Sequence, residues 1–136
     1  MSTITRFEDI EAWKTARELT VLIYKFTTQR MFTRDFGLKD QIRRAAVSVM
    51  SNIAEGFESQ TQAQFIRYLG LAKASAGEVR SQLYIASDVQ YLTKEQFDQG
   101  FSLADRVIRQ VFRFMEYLEA HPNSRRISDE QSEYNI

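Results

Sequence analysis

Between Phe65 and Ala86 the apolar residues Phe65, Leu69, Ala72, Ala76, Val79, Leu83 and Ala86 recur at intervals of 4, 3, 4, 3, 4 and 3. At about 100° per residue this spacing gathers them on one face of an α-helix, whereas a half-buried strand alternates by twos. A long helix with one apolar face needs other helices to cover it. The chain supplies them. Ala12, Ala16, Leu19, Ile23 and Phe26 repeat the pattern with Trp13 and Thr20 beside them, and Ile42, Ala45, Ala46, Val49 and Ile53 repeat it after Leu38. A fourth stretch carries Phe97, Phe101, Ala104, Ile108, Val111, Met115 and Leu118 on one face. With 5 Gly and 1 Pro in 136 residues, breakers are too few for many short strands joined by turns. The expected class is all-α: one antiparallel up-down-up-down four-helix bundle over residues 1–120, followed by a flexible polar tail at 121–136.

Local signals set the expected helix ends. Thr5-Arg6-Phe7-Glu8, Thr61-Gln62-Ala63-Gln64 and Thr93-Lys94-Glu95-Gln96 each have the form of a capping box, in which hydroxyl and carboxyl or amide side chains satisfy orphan amides reciprocally. They predict a first helix from Thr5 to about Thr28, a third over 62–87, and a fourth from Lys94 to the stop at His121-Pro122, with Leu92 and Phe97 as a hydrophobic staple. The second helix is expected over 38–55, ended by Gly56. The stretch 29–37 loses the period and has room for one helical turn. Ala74-Ser75-Ala76-Gly77, inside the best periodic run, reads as a close approach between helices. Leu103, Val107, Phe112 and Phe114 add apolar surface away from the fourth helix's main face. That surplus calls for a second covering surface, either another copy of the chain or its own tail or 29–37 link.

The side chains present exclude much catalytic chemistry. Without cysteine there is no thiolate nucleophile or disulfide, and the single histidine, His121, cannot make a histidine metal site by itself. The sequence carries no pattern of paired carboxylates and no Gly-rich loop between strand and helix. A non-enzymatic protein with no cofactor and no metal is expected. The first residues lack a long apolar run, so a cytoplasmic protein with no signal peptide and no membrane contact is expected.

Lys plus Arg and Asp plus Glu both number 18, which disfavours a chain built chiefly to neutralise a polyanion. The charge is uneven, however. Residues 1–80 carry 12 basic and 9 acidic side chains (+3), residues 81–136 carry 6 and 9 (−3), and 14–44 alone carry 8 and 3 (+5). Lys14, Arg17 and Lys25 face away from the first helix's core, and Arg106, Arg109 and Arg113 share an arc of about 60° on the fourth. Such stripes can follow a phosphate backbone, although Glu11, Glu18, Asp105 and Glu116 lie near enough to blunt them. On the second helix Gln41, Arg44, Ser48, Asn52 and Glu55 fall within about 80° opposite the apolar stripe. This polar seam suits a subunit contact, a phosphate contact or an internal network. Arg43 falls in another sector with Val47, Met50 and Ala54, so the two arginines should meet different surroundings, and Glu55 reads as a hydrogen-bond anchor at the helix end.

Three blocks together carry a resemblance. Phe7-Glu8-Asp9-Ile10-Glu11-Ala12-Trp13, the run from Gly37-Leu38-Lys39-Asp40-Gln41-Ile42-Arg43-Arg44 to Ser48, and Ser51-Asn52-Ile53-Ala54-Glu55-Gly56-Phe57 resemble the signature of the bacterial four-helix bundle family, also called the 23S rRNA intervening-sequence protein family. The similarity continues through Phe65-Ile66-Arg67-Tyr68-Leu69 and Ala74-Ser75-Ala76-Gly77-Glu78-Val79. It implies a four-helix bundle assembling into ring-like homopentamers, encoded within insertions in ribosomal RNA genes or elsewhere in bacterial genomes, with no assigned biochemical role. More distant relatives, the accessory variability proteins of diversity-generating retroelements, bind a reverse transcriptase and nucleic acid through a basic face. Many family members carry a proline where this chain has Met50, which leaves the Met50 amide able to join the helix ladder.

The motif residues that transfer are Gln41, Arg43, Arg44, Ser48, Asn52, Glu55 and Gly56. Assembly is the expected role for most of them, with Arg44 the exception. The candidate contact cations are Lys14, Arg17, Lys25, Lys39, Arg43 and Arg44, and the expected partners are further copies of the chain, RNA or another nucleic acid, or an RNA-associated protein. A protein scaffold with no nucleic-acid binding is the alternative.

Overall fold

In the computed structural model, which describes residues 4–122, a short 3-10 turn at Phe7–Asp9 precedes five α-helices. These are α1 (Glu11–Phe26), α2 (Arg30–Arg34), α3 (Phe36–Glu58), α4 (Gln62–Asp88) and α5 (Lys94–Ala120). The described residues contain no strand. The four long helices pack in a closed order, α1 on α3, α3 on α4, α4 on α5 and α5 on α1, with the one-turn α2 against α3. Of the expected tail at 121–136, residues 123–136 lie outside the described residues.

The buried stripes make one interior with two neighbouring clusters. One joins Ile10, Ile53, Phe65, Leu69, Phe114 and Leu118. The other joins Leu19, Ile23, Phe32, Ile42, Leu83 and Ala104. Phe65 is fully buried and stands edge-on to Phe57 at 6.0 Å and to Phe114 at 5.3 Å. Burial of each such side chain stabilises the fold by about 1.5–3 kcal/mol relative to exposure.

At two helix starts the capping signals act, as a full box at Thr93 and in the hydroxyl half alone at Thr61. Thr93 Oγ1 accepts from the Gln96 amide at 3.1 Å while Gln96 Oε1 accepts from the Thr93 amide at 2.9 Å, a complete box. Thr61 Oγ1 accepts from the Gln64 amide at 3.1 Å. At Thr5 no box forms, and α1 begins only at Glu11, without a side-chain cap. The reason is long-range: Ile4 and Ile10 are both buried in the core cluster that contains Phe57 and Leu118. A continuous helix would set these two about 120° apart. The break at Ile10, whose backbone is extended, brings both inward.

α3 starts earlier than expected because Asp35 Oδ1 accepts from the Leu38 amide at 3.0 Å, and it continues past Gly56 to Glu58. Gly56 therefore does not terminate the helix. A β-carbon there would stand 2.8 Å from Tyr68 Cβ and 2.9 Å from Phe65 Cδ1, so glycine permits α4 to approach. Met50, partly buried against the core, lies within an unbroken helix. Gly77, in contrast, would meet nothing within 4 Å, so it is not the residue that brings helices together.

The inward stripe of α5 is Gly100, Ala104, Val107, Val111, Phe114 and Leu118. The expected face is thus rotated: Val107 and Phe114 are core, while Phe97, Phe101, Ile108 and Met115 are only partly buried. Gly100 sets the rotation, since a β-carbon there would lie 3.2 Å from Leu83 Cδ1 and 3.3 Å from Phe26 Cε2. The larger Phe97 and Phe101 instead flank the stripe and pack on Tyr84 at 5.1 and 5.8 Å. Of α5's large apolar residues Phe112 is exposed, whereas α4 exposes Leu71, Tyr84 and Ile85, and Val89 just after it is exposed too. The surplus apolar surface therefore lies mainly off α5, contrary to expectation. No described helix is long and apolar enough to cross a membrane.

Candidate functional site

α3 carries the polar seam, and contacts with its neighbours divide it in two. Asn52 Nδ2 donates to the Ser48 carbonyl at 2.8 Å and to Ser48 Oγ at 2.9 Å, and Ser48 Oγ lies 3.0 Å from Ser75 Oγ on α4. Gln41 Oε1 accepts from Gln82 Nε2 at 3.4 Å, a weak bond. Gln41, Ser48 and Gly56 thus serve the α3–α4 contact within one subunit, with Asn52 holding Ser48 from the same helix. Arg44 and Glu55 do not. The Arg44 side chain is 77% exposed and pairs only with Asp40 on its own helix at 3.1 Å. Glu55 is exposed and has no hydrogen-bond or ion-pair partner among the described residues, so the expected anchor is not formed.

Arg43 reaches the other way. Its Nε donates to Thr27 Oγ1 at 2.7 Å and its guanidinium lies 4.3 Å from the Tyr24 ring centroid, tying α3 to α1. The two adjacent arginines nevertheless border one groove of ≈ 560 Å³, together with Tyr24, Val47, Asn52 and Glu55. The length of the arginine side chain undoes the separation expected from backbone angle.

The other candidate cations are dispersed. Lys14 pairs with Glu11 at 3.2 Å, and Arg17 lies 5.8 Å from the Trp13 ring. Arg17 and Lys25 border a second groove between α1 and α5 with Val21, Leu22 and Leu103. Lys39 Nζ sits 5.1 Å from the Phe36 ring. On α5, Arg106 pairs with Glu18 at 3.6 Å and Arg109 with Asp105 at 3.1 Å, so that stripe is largely neutralised.

The cations of 14–44 are less often paired than the described ones further along the chain. Among the described residues of 14–44, Arg17, Lys25, Arg30, Arg34, Lys39 and Arg43 have no carboxylate within ion-pair distance and Lys14 and Arg44 have one; among those beyond residue 44, Arg80, Lys94, Arg106 and Arg109 have one and Arg67, Lys73 and Arg113 have none. The acids nearest the first group are engaged elsewhere. Asp35 accepts from the Leu38 amide and, at 2.9 Å, from Tyr91 Oη, and Asp40 holds Arg44. Arg30 and Arg34 were not among the residues singled out by helical pattern because they lie in the aperiodic 29–37 stretch. Only the local charge count marks them.

A family model described as 23S rRNA-intervening sequence protein matches residues 8–113. Among solved structures, the chain is similar to a crystal structure at 1.70 Å of a protein with unknown function from the S23 ribosomal protein family of Bacteroides thetaiotaomicron VPI-5482. The two share 22% identity and a TM-score of 0.72, over 77% of this chain and 95% of that one. No curated protein matches the chain.

Proposed function

This chain belongs to the 23S rRNA-intervening sequence protein family, and from that premise we propose that it is a non-enzymatic, cytoplasmic, homo-oligomeric four-helix bundle that binds structured RNA through the cations of residues 14–44. The observation that carries the reading is the set of cations there without carboxylate partners, Arg17, Lys25, Arg30, Arg34, Lys39 and Arg43, in a chain whose net charge is zero. A polyanion gives such a segment the counter-charge that its own fold withholds, and each phosphate contact adds salt-sensitive affinity.

Self-assembly belongs to the same proposal. The apolar side chains exposed on α4, with Glu55 on α3, are surface that one subunit leaves uncovered. A closed ring, pentameric by family resemblance, repeats the basic segment around an axis and turns a modest local charge into a multivalent one. The short links at 59–61 and 89–93, each joining helices that pack on one another, support the antiparallel up-down-up-down order.

The test is binding to a labelled structured RNA at increasing salt, with native mass spectrometry for the subunit number. Affinity should fall steeply and linearly on a log–log plot. The charge reversals Lys25→Glu and Arg34→Glu together should abolish binding, while Lys94→Glu, the same kind of change elsewhere, should leave it nearly intact. Absent or salt-independent binding at low ionic strength overturns the RNA reading and leaves a protein scaffold.

A further inference from the structure

Phe36 is the most exposed large apolar side chain among the described residues, at 73%. It is the first residue of α3, directly after the cap Asp35, and is not part of either core cluster. Its neighbour Phe32 shows what the same side chain does when the fold needs it, being fully buried and packed on Tyr91 at 5.1 Å. Leaving a phenyl ring in water forgoes the stabilisation that burial supplies. The bundle in this form has no use for the Phe36 ring.

One cation stands at the ring and two more lie in the short helix just before it. Lys39 Nζ lies 5.1 Å from the ring centroid, and Arg30 and Arg34, on the preceding turn of helix, lack carboxylate partners. Both oxygens of the intervening Asp35 already accept hydrogen bonds. Next to the ring, Gly37 has neither a positive φ nor a crowded side, since a β-carbon there would meet only Asp35 Oδ1 at 3.8 Å. Glycine so near a helix start is thus not explained by the subunit's own packing.

An exposed ring with an unpaired cation against it, and two more in the preceding helix α2, offers what an unpaired nucleotide requires: a flat apolar face for the base and cations for the phosphates. Stacking on a protein ring needs a base free of its helix, which a paired stem does not offer. We propose that Phe36 is a stacking platform for an unpaired base, with Lys39, Arg30 and Arg34 holding the flanking phosphates, so that the RNA sought is a loop or single strand. This rests on the RNA reading above and specifies which part of the RNA is gripped.

The experiment compares a hairpin RNA carrying an unpaired purine loop with a blunt duplex of the same stem, using the full chain. Phe36→Ala should weaken hairpin binding by about 5- to 100-fold with an unchanged salt slope and leave duplex binding as it was. Phe36→Trp should retain or improve it, and Lys39→Gln should reduce the slope. Because the ring is outside the core, circular dichroism melts of all three variants should match the parent. Equal losses on both RNAs, or no loss on either while the parent binds, overturn the stacking platform and leave the RNA reading standing. Failure of the parent to bind either RNA overturns both. Binding to anionic phospholipid vesicles that depends on Phe36, without RNA binding, overturns the proposal in favour of a lipid surface.

Discussion

Tyr91 Oη donates to Asp35 Oδ2 at 2.9 Å, while the other oxygen of Asp35 caps α3 at the Leu38 amide. One phenol thereby ties the link before α5 to the start of α3. The hydrogen bond to Asp35, with burial and the carboxylate's charge adding to it, raises the Tyr91 phenol above its ordinary value of 10.0. The folded state thus favours the neutral phenol, so this contribution is fully present below about pH 10 and is lost as pH rises through the folded value. Tyr91→Phe should melt below the parent at neutral pH, and the gap between the two should close above about pH 10. A gap that stays constant into strong alkali would mean that the bond does not couple to stability. Nothing in the sequence pairs residues 35 and 91, because the contact depends on how the chain ends meet. Gly56 illustrates the same point, since its presence was legible and its reason, the 2.8 Å separation a β-carbon would have from Tyr68 Cβ, belongs to the packed state.

Among the elements, α4 was the most legible, because a helix buried along one stripe repeats its apolar residues at 3 and 4 and nothing interrupts them over 62–88. α5 was legible as a helix and misread in register. Its four Phe, with Val, Leu, Ile and Met among them, offer two overlapping stripes, and the narrow approach at Gly100 to Leu83 and Phe26 favours one. The two boxes at Thr5 and Thr93 make the sharper comparison, since they share a motif and differ in outcome. Thr93 forms both bonds, so Thr93→Ala should cost about 1 kcal/mol, whereas Thr5→Ala, which removes no cap, should lie within about 0.5 kcal/mol of the parent. Urea melts of the two variants measure the difference. Equal losses would mean that the start of the chain adopts the continuous helix that its motif suggests, at the expense of burying Ile4 and Ile10 together.

For the whole molecule, the polar seam matters through what the subunit leaves unused. Ser48 and Gly56 are committed to α4, and Asn52 holds Ser48 from the same helix, so changing them perturbs the fold before it perturbs any assembly. Arg44 differs: its one partner is Asp40, both side chains are exposed, and such a pair contributes about 0.5 kcal/mol or less. Arg44→Ala should therefore leave thermal stability almost unchanged, and any larger effect must come from contacts between molecules. If Arg44 belongs with the unpaired cations that face RNA, the variant keeps its native mass while its RNA affinity falls and its salt slope drops by about one phosphate contact. If it serves the ring, native mass spectrometry shows smaller species, and the loss of RNA binding follows from lost multivalency at each salt concentration. The first result is expected, because Arg44 borders the same groove as Arg43 and Tyr24, an opening that faces outward from a single subunit. Measuring mass and binding on the same sample separates the two roles, since only an assembly role makes affinity track subunit number.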